Sequence, residues 1–216
     1  PSILSAADLT TLLDEIIAFF PVSASAEITL EANPDDLNAQ KLREIKQTAV
    51  NRLSIGIQSF YQADLKWMNR AHNAEEAESA VKRAQDSGLE NISIDLIYGY
   101  PLLTDEKWAN TLVKVIELEV PHISSYAMTV EPRTALASFI HKGKQPAMDE
   151  NQSAEQFICL MNELGQSGFD HYEISNFARP GMYSRHNTNY WKGVSYLGVG
   201  PSAHSFNGEI RQWNVA

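Results

Sequence analysis

The sequence has 216 residues, 44% of them hydrophobic, which is enough for the core of one large domain. Its 27 acidic residues outnumber its 17 basic ones and give a net charge of -10, which disfavours binding to the phosphate backbone of nucleic acids. The single cysteine, Cys159, excludes an internal disulfide and a multi-cysteine metal site, and it predicts a reducing, cytoplasmic location.

The apolar runs are too short to span a bilayer, so we do not expect an integral membrane protein. The first residues, Pro1-Ser2-Ile3-Leu4, lack both an initiator methionine and the basic region of a secretion signal. We therefore expect the sequence to be an interior piece of a longer protein.

Helix and strand patterns alternate along the first part of the chain. Apolar residues recur at helical spacing over residues 9–20, and β-branched residues predict strands at 27–31 and 52–58 with a helix between them. A helix pattern over 77–84 ends at Gly88, and a third strand follows at 92–98. Thr104 is expected to cap the next helix, before a fourth strand at 123–128. This spacing is typical of βαβ units and predicts a parallel sheet.

This alternation favours an α/β fold, an incomplete (β/α) TIM-type barrel over residues 1–142. After Gly143 the pattern changes to one helix over 153–164 and then a stretch rich in Gly, Asn, Tyr and Trp. We expect residues 143–216 to form a C-terminal α+β appendage.

Three polar residues, Glu31, Gln58 and Asp95, are expected at the carboxyl ends of successive predicted strands. In (β/α) barrels such residues meet at the carboxyl-end face, where active sites are built. The alternative is that each one caps a loop or a helix. Asp95 argues against that alternative, because a carboxylate within an apolar run needs a partner or a ligand such as a ribose.

Arg70, accompanied by His72, follows the strand at 52–58, and a guanidinium there can clamp a carboxylate in bidentate fashion. The alternative is an ordinary surface arginine. Together, Arg70, Glu31, Gln58 and Asp95 suit one small zwitterionic ligand that carries a ribose.

Aromatic residues surround His186 near the end of the chain, among them Tyr190 and Trp191. A neutral imidazole there can ligate heme iron while the rings stack on the macrocycle. The alternative is a core histidine packed under aromatic rings. Gly198 and Gly200 lack the third glycine of a nucleotide-binding loop and predict a turn.

Four ordered motifs resemble one known family. They are Glu31-Ala32-Asn33-Pro34, residues 51–60 (NRLSIGIQSF), Arg70-Ala71-His72 and residues 93–101 (SIDLIYGYP). This set resembles the HemN/HemW group of radical S-adenosylmethionine (SAM) proteins, which are similar to oxygen-independent coproporphyrinogen III oxidase. The resemblance spans nearly the whole chain.

The resemblance implies a role for each candidate residue. In that family the residue matching Glu31 lies near the methionine moiety of SAM, those matching Gln58 and Asp95 contact the ribose, and that matching Arg70 contacts the carboxylate. The family's three-cysteine motif, which holds a 4Fe-4S cluster, would lie upstream of Pro1. We therefore expect no cluster ligand in this sequence, and no reductive cleavage of SAM by this piece alone.

Residues 186–191 (HNTNYW) resemble the heme-chaperone branch, HemW, more than HemN. The resemblance implies heme bound through His186, with Tyr190 and Trp191 against the macrocycle, and an electron donor and a heme-accepting protein as partners. One rival function is that of a dehydrogenase that oxidatively decarboxylates coproporphyrinogen III to protoporphyrinogen IX. Another is that of an ordinary barrel enzyme for a small polar metabolite.

Overall fold

A computed structural model describes residues 1–215, and the chain divides into two compact units, Pro1–Met182 and Tyr183–Ala216. The larger unit holds one six-stranded sheet. Its strands are β1 (Thr29–Ala32), β2 (Arg52–Gln58), β3 (Ile92–Tyr98), β4 (His122–Ala127), β5 (Asp170–Glu173) and β6 (Asn176–Ala178).

The strand order is β1-β2-β3-β4-β6-β5. The first four strands pair in parallel, whereas β6 runs antiparallel to β4 and β5 antiparallel to β6. The predicted α/β fold with a parallel sheet is confirmed, and over residues 1–215 the sheet stays open. β5 and β6 come from the segment after Gly143 and extend the same sheet. The domain boundary at residues 142/143 stays a prediction about where the family's C-terminal region begins.

Seven α-helices accompany the sheet in this unit. They are α1 (Ala6–Phe19), α2 (Ala39–Ile45), α3 (Gln62–Trp67), α4 (Ala74–Asp86), α5 (Asp105–Glu117), α6 (Ala135–His141) and α7 (Glu150–Gln166). Thr104 caps α5, as predicted, because its hydroxyl accepts a hydrogen bond from the Lys107 N–H at 3.2 Å. The predicted helix over 153–164 is longer than expected, since α7 begins three residues earlier, after its cap Asp149, and ends two residues later.

The two faces of the sheet differ in polarity because successive strand residues point to opposite sides. On one face, Leu53, Ile55 and Ile94 join a single buried cluster with residues of α4 and α5. The other face carries Ser54 of β2, which pairs with Ser93 of β3, and Asp95 two residues further along β3, together with other polar residues of β1 and β4. In a (β/α) barrel this polar face is the interior, so the fold positions a polar site there.

The second unit contains α8 (Arg185–Trp191) and a two-stranded antiparallel sheet of β7 (His204–Phe206) and β8 (Arg211–Trp213). Ser184 caps α8 by accepting from the Asn187 N–H at 3.3 Å. Tyr196 extends the β7 edge, since its N–H donates to the Phe206 carbonyl at 2.8 Å.

Candidate functional site

A cavity of about 200 Å³ in the larger unit is lined by Glu31, Gln58, Arg70 and Asp95 together. We call it the polar cavity. The structure thus brings together the four residues predicted from the sequence. Gln58 ends β2 as expected, whereas Asp95 lies at the centre of β3 rather than at its carboxyl end. The cavity therefore extends down the polar face of the sheet instead of sitting only at its rim.

Sequence reasoning gave no role to the other residues that line the polar cavity, among them Asn33, Ser54 and Gly56. Ser54 and Gly56 precede Gln58 by four and two positions on β2. Residues spaced by two on a strand share a face, so this spacing was the signal that could have found them.

The carboxyl group of Asp95 is electrostatically perturbed. Burial raises its pKa to about 6, although hydrogen bonds from Ser124 and Ser54 oppose the shift, and the neighbouring carboxylate of Glu31 raises it further. The Ser54 hydroxyl donates to Asp95 Oδ1 at 3.3 Å. At neutral pH the group is therefore mainly a partly desolvated carboxylate, which is a strong acceptor for ligand hydroxyls.

Arg70 reaches the polar cavity from the chain just after α3. Its Nη2 donates to Asn33 Oδ1 at 2.9 Å and to the Gly56 carbonyl at 3.2 Å. Its Nε is buried and has no hydrogen-bond partner among residues 1–215. A buried guanidinium N–H without a partner is costly, and an anionic ligand group would satisfy it.

The backbone of β2 is irregular beside this arginine. Gln58 has a positive φ of 67°, and the pairing of β2 with β3 shifts between Ile55 and Gln58. Positive φ is uncommon for residues other than glycine and is concentrated at functional sites. Gln58, at this irregularity, lines the polar cavity.

Gly56 leaves the space that Gln58 and Arg70 occupy. A Cβ at this position would lie 3.0 Å from Gln58 Nε2 and 3.3 Å from Arg70 Nη2. Both atoms end flexible side chains, so Gly56→Ala should displace them without unfolding the protein. The sequence-based expectation that SAM binds in the polar cavity predicts about a tenfold loss of SAM affinity for this variant of the full-length protein, measured by calorimetry, with little change in melting temperature.

The matched control is Gly165→Ala, because a Cβ there meets no heavy atom within 4 Å. Gly165 lies within α7, where alanine favours the helix. Equal SAM affinity of the Gly56→Ala and Gly165→Ala proteins would contradict the role given to Gly56.

A buried histidine that the sequence did not single out supports the polar face. His122 Nδ1 pairs with the Ser93 hydroxyl and its Nε2 with the Tyr172 hydroxyl, both at 2.7 Å. Burial lowers the pKa of His122 to about 3, so the ring is neutral at physiological pH. Because both ring nitrogens are engaged, His122 orders the sheet interior rather than offering a free ligand.

In the second unit, His186 and Tyr190 lie one turn apart on α8, and their rings meet edge to face at 5.0 Å. Tyr190 in turn contacts Tyr196, with ring centroids 4.5 Å apart. His186 is exposed, so the alternative of a core histidine buried under aromatic rings is wrong. Trp191 is 61% exposed on the same helix. An exposed imidazole beside aromatic rings can ligate a metal ion that is held by a planar macrocycle.

The residues present do not fit an iron–sulfur cluster. Such a cluster needs several thiolates, whereas the sequence has one cysteine. In the described part of the chain no three His, Cys, Asp or Glu side chains group to hold a metal ion. Burial raises the pKa of the Cys159 thiol, which favours an inert side chain. Separately, none of the helices within residues 1–215 is long and apolar enough to cross a membrane.

Comparison with known proteins identifies the family. A model of the radical SAM superfamily matches residues 3–115. The chain is 38% identical over 216 residues to the heme chaperone HemW of Bacillus subtilis, covering 100% of this chain and 57% of that protein. It is 38% identical over 205 residues to the heme chaperone HemW of Escherichia coli, covering 94% of this chain and 53% of that protein.

Among solved structures, coproporphyrinogen III oxidase (HemN) from Escherichia coli, described as a radical SAM enzyme, superposes with a TM-score of 0.81 at 26% identity. The superposition covers 100% of this chain and 52% of that one. The chain thus spans just over half the length of each of these three relatives. These findings confirm the family predicted from the motifs. The chain belongs to the radical SAM superfamily, whose members use SAM and an iron–sulfur cluster.

Proposed function

We propose that this chain is part of a HemW-like heme chaperone that binds SAM in the polar cavity and heme through His186. The convergence of Glu31, Gln58, Arg70 and Asp95 on one cavity carries the SAM part of this proposal. SAM is a zwitterion with a ribose, so it offers a carboxylate to a guanidinium and hydroxyls to carboxylate and amide groups. The cavity presents these partners within one small volume.

Each residue has a distinct role in this proposal. The Arg70 guanidinium holds the SAM carboxylate, and the unpartnered Nε supplies a donor for it. The Asp95 carboxylate accepts hydrogen bonds from the ribose, and the Gln58 amide can both donate to it and accept from it. Glu31 lies beside the methionine moiety. A 4Fe-4S cluster would allow bound SAM to supply radical chemistry, and these side chains would supply the binding and orientation of SAM. Because this sequence has one cysteine, such a cluster would need ligands from other residues of the full-length protein.

The heme part rests on the exposed His186 and on the HemW relatives. His186 is the proposed axial ligand, with Tyr190 and Trp191 against the macrocycle. The proposed partners are a heme-accepting protein and an electron donor, in the cytoplasm.

We expect His186→Ala to shift the Soret band of heme bound to the full-length protein and to weaken heme binding about tenfold or more. The melting temperature should change little, because His186 is exposed. Spectroscopic heme titration measures the effect, and the exposed His141 provides the control variant His141→Ala. A His186→Ala protein with an unchanged heme spectrum and affinity would remove His186 from the site.

A second candidate function is that of a coproporphyrinogen III dehydrogenase, and the superposition on HemN favours it. Full-length protein with a reduced cluster, SAM and coproporphyrinogen III distinguishes the two functions. The chaperone proposal predicts no protoporphyrinogen IX by chromatography. Turnover to protoporphyrinogen IX would replace the chaperone with the dehydrogenase.

A further inference from the structure

The short helix α3 carries a fully buried carboxylate, that of Asp64. A buried charge destabilises a fold unless it is paired and hydrogen-bonded, and apolar residues of similar volume often stabilise the fold equally well or better. Stability alone therefore gives little reason for an acid at this position. A buried ion pair can instead specify one arrangement of the segments that it joins.

Three donors from three different segments surround the Asp64 carboxylate. The Lys107 ammonium, on α5, lies 2.9 Å from Oδ1, and the lysine side chain is 29% exposed. The Tyr100 hydroxyl, after β3, donates to Oδ2 at 2.8 Å, and the Ser59 hydroxyl, directly after β2, donates to the same oxygen at 3.5 Å. Burial raises the pKa of Tyr100, so its hydroxyl stays protonated and remains a donor. We call these four residues the Asp64 cluster.

The Asp64 cluster holds the helix that positions Arg70. The Arg70 backbone N–H donates to the Leu65 carbonyl at 2.9 Å, and Leu65 follows Asp64 on α3. This helix has six residues and no side-chain cap at its start, and so short a helix is not stable by itself. Its place depends on the contacts that anchor it. On β2 the cluster is attached at Ser59, which directly follows Gln58.

Two ring contacts join the same cluster to the two ends of α3. At the start, Lys107 Nζ lies 5.0 Å from the centroid of the Tyr61 ring. At the end, the Trp67 ring stacks on Tyr100 with centroids 5.8 Å apart. Lys107 and Tyr100 thus each contact α3 twice, once through the Asp64 carboxylate and once through a ring. The cluster therefore fixes α3 relative to β3 and α5.

We propose that Asp64 is a positioning residue of the polar cavity, which acts with Lys107 and Tyr100 to hold α3 so that Arg70 meets the SAM carboxylate. This inference rests on the proposed SAM binding and adds three residues that do not line the polar cavity themselves. A guanidinium fork binds a carboxylate well only if it is held within about 0.5 Å of the productive position. A small displacement of α3 should therefore weaken SAM binding.

Lys107→Met removes the ammonium and leaves the Asp64 carboxylate with hydroxyl partners alone. We expect SAM to bind about fivefold to tenfold more weakly to this variant of the cluster-loaded full-length protein, measured by calorimetry below the melting temperature. Lys107→Arg keeps the charge and should keep most of the affinity. The matched control is Lys114→Met, which removes a lysine from the same helix and breaks its more exposed ion pair with Glu78. This control should bind SAM as the unchanged protein does.

The same change in an Arg70→Ala background separates positioning from a general loss of stability. Without the guanidinium, α3 has no SAM-binding group to position, so Lys107→Met should then lower SAM affinity by less than about twofold. Tyr100→Phe is the second variant, and it decides the question if Lys107→Met does not fold. It keeps the ring that stacks on Trp67, removes only the hydroxyl, and should weaken SAM binding about twofold to fivefold, again only when Arg70 is present.

Unchanged SAM affinity in both Lys107→Met and Tyr100→Phe would overturn the proposal. An equal loss of affinity with and without Arg70 would also overturn it, because the cluster would then act on the whole fold. Either result leaves the assignment of the polar cavity to SAM standing, provided that Arg70→Ala itself binds SAM weakly. If Arg70→Ala binds SAM as the unchanged protein does, the proposed SAM site fails and this inference fails with it.

Discussion

Asp95→Asn is expected to stabilise the fold at pH 8 while weakening SAM binding. The pKa of Asp95 rises from 3.8 to about 6 on folding, so the folded state resists ionisation more than the unfolded chain does. The free energy of unfolding therefore falls as the pH rises from about 4 to about 6, and the contribution of Asp95 changes no further above that range. At about 1.36 kcal/mol per pH unit the cost approaches about 3 kcal/mol, which an uncharged asparagine avoids.

The amide oxygen that the Asp95→Asn change introduces can still accept from Ser54, so the gain should survive in the measured stability. Denaturant unfolding at pH 8 and at pH 4 measures the effect, because the two proteins should differ at pH 8 and converge at pH 4. Asp14→Asn, at an exposed position on α1, is the control and should show no such difference. A destabilised Asp95→Asn protein at pH 8 would show that the carboxylate holds the fold together instead.

The central strands could be predicted from sequence because their residues determine them locally. The predicted bounds 52–58 and 92–98 match β2 and β3, where β-branched and apolar residues run between turn-forming ones. The helices α3 and α6 have six and seven residues, too short for a helical period to stand out. The β5–β6 pairing was also missed, because strand pairing with β4 is decided by tertiary contacts.

The sequence predicted site residues where a charged side chain lies within an apolar run. Asp95 stands out in the sequence as an acid among apolar strand residues, and burial raises its pKa, as expected for a carboxyl group in such surroundings. The role of His122 was not predicted, because it depends on hydrogen bonds to Ser93 and Tyr172, which are 29 and 50 positions away in the sequence. Likewise, Gly56 looks like any glycine until the positions of Gln58 and Arg70 show what a side chain there would displace.

The second large effect is expected for Arg70→Ala. Among the described residues that line the polar cavity, Arg70 has the only cationic side chain, and in the proposal it meets the SAM carboxylate. Hydrogen bonds to charged groups contribute about 1.5–3 kcal/mol, so the variant should bind SAM about 10- to 150-fold more weakly. Arg70→Lys should recover only part of this loss, because an ammonium keeps the charge but not the planar fork.

Calorimetric titration of SAM into the cluster-loaded full-length protein tests the central claim most directly. Arg43→Ala, at an exposed position on α2, serves as the matched control. The proposal predicts tight binding by the unchanged protein and by Arg43→Ala, and a loss of about 10- to 150-fold in Arg70→Ala. Equal SAM affinity in the Arg70→Ala and Arg43→Ala proteins would contradict the assignment of the polar cavity to SAM.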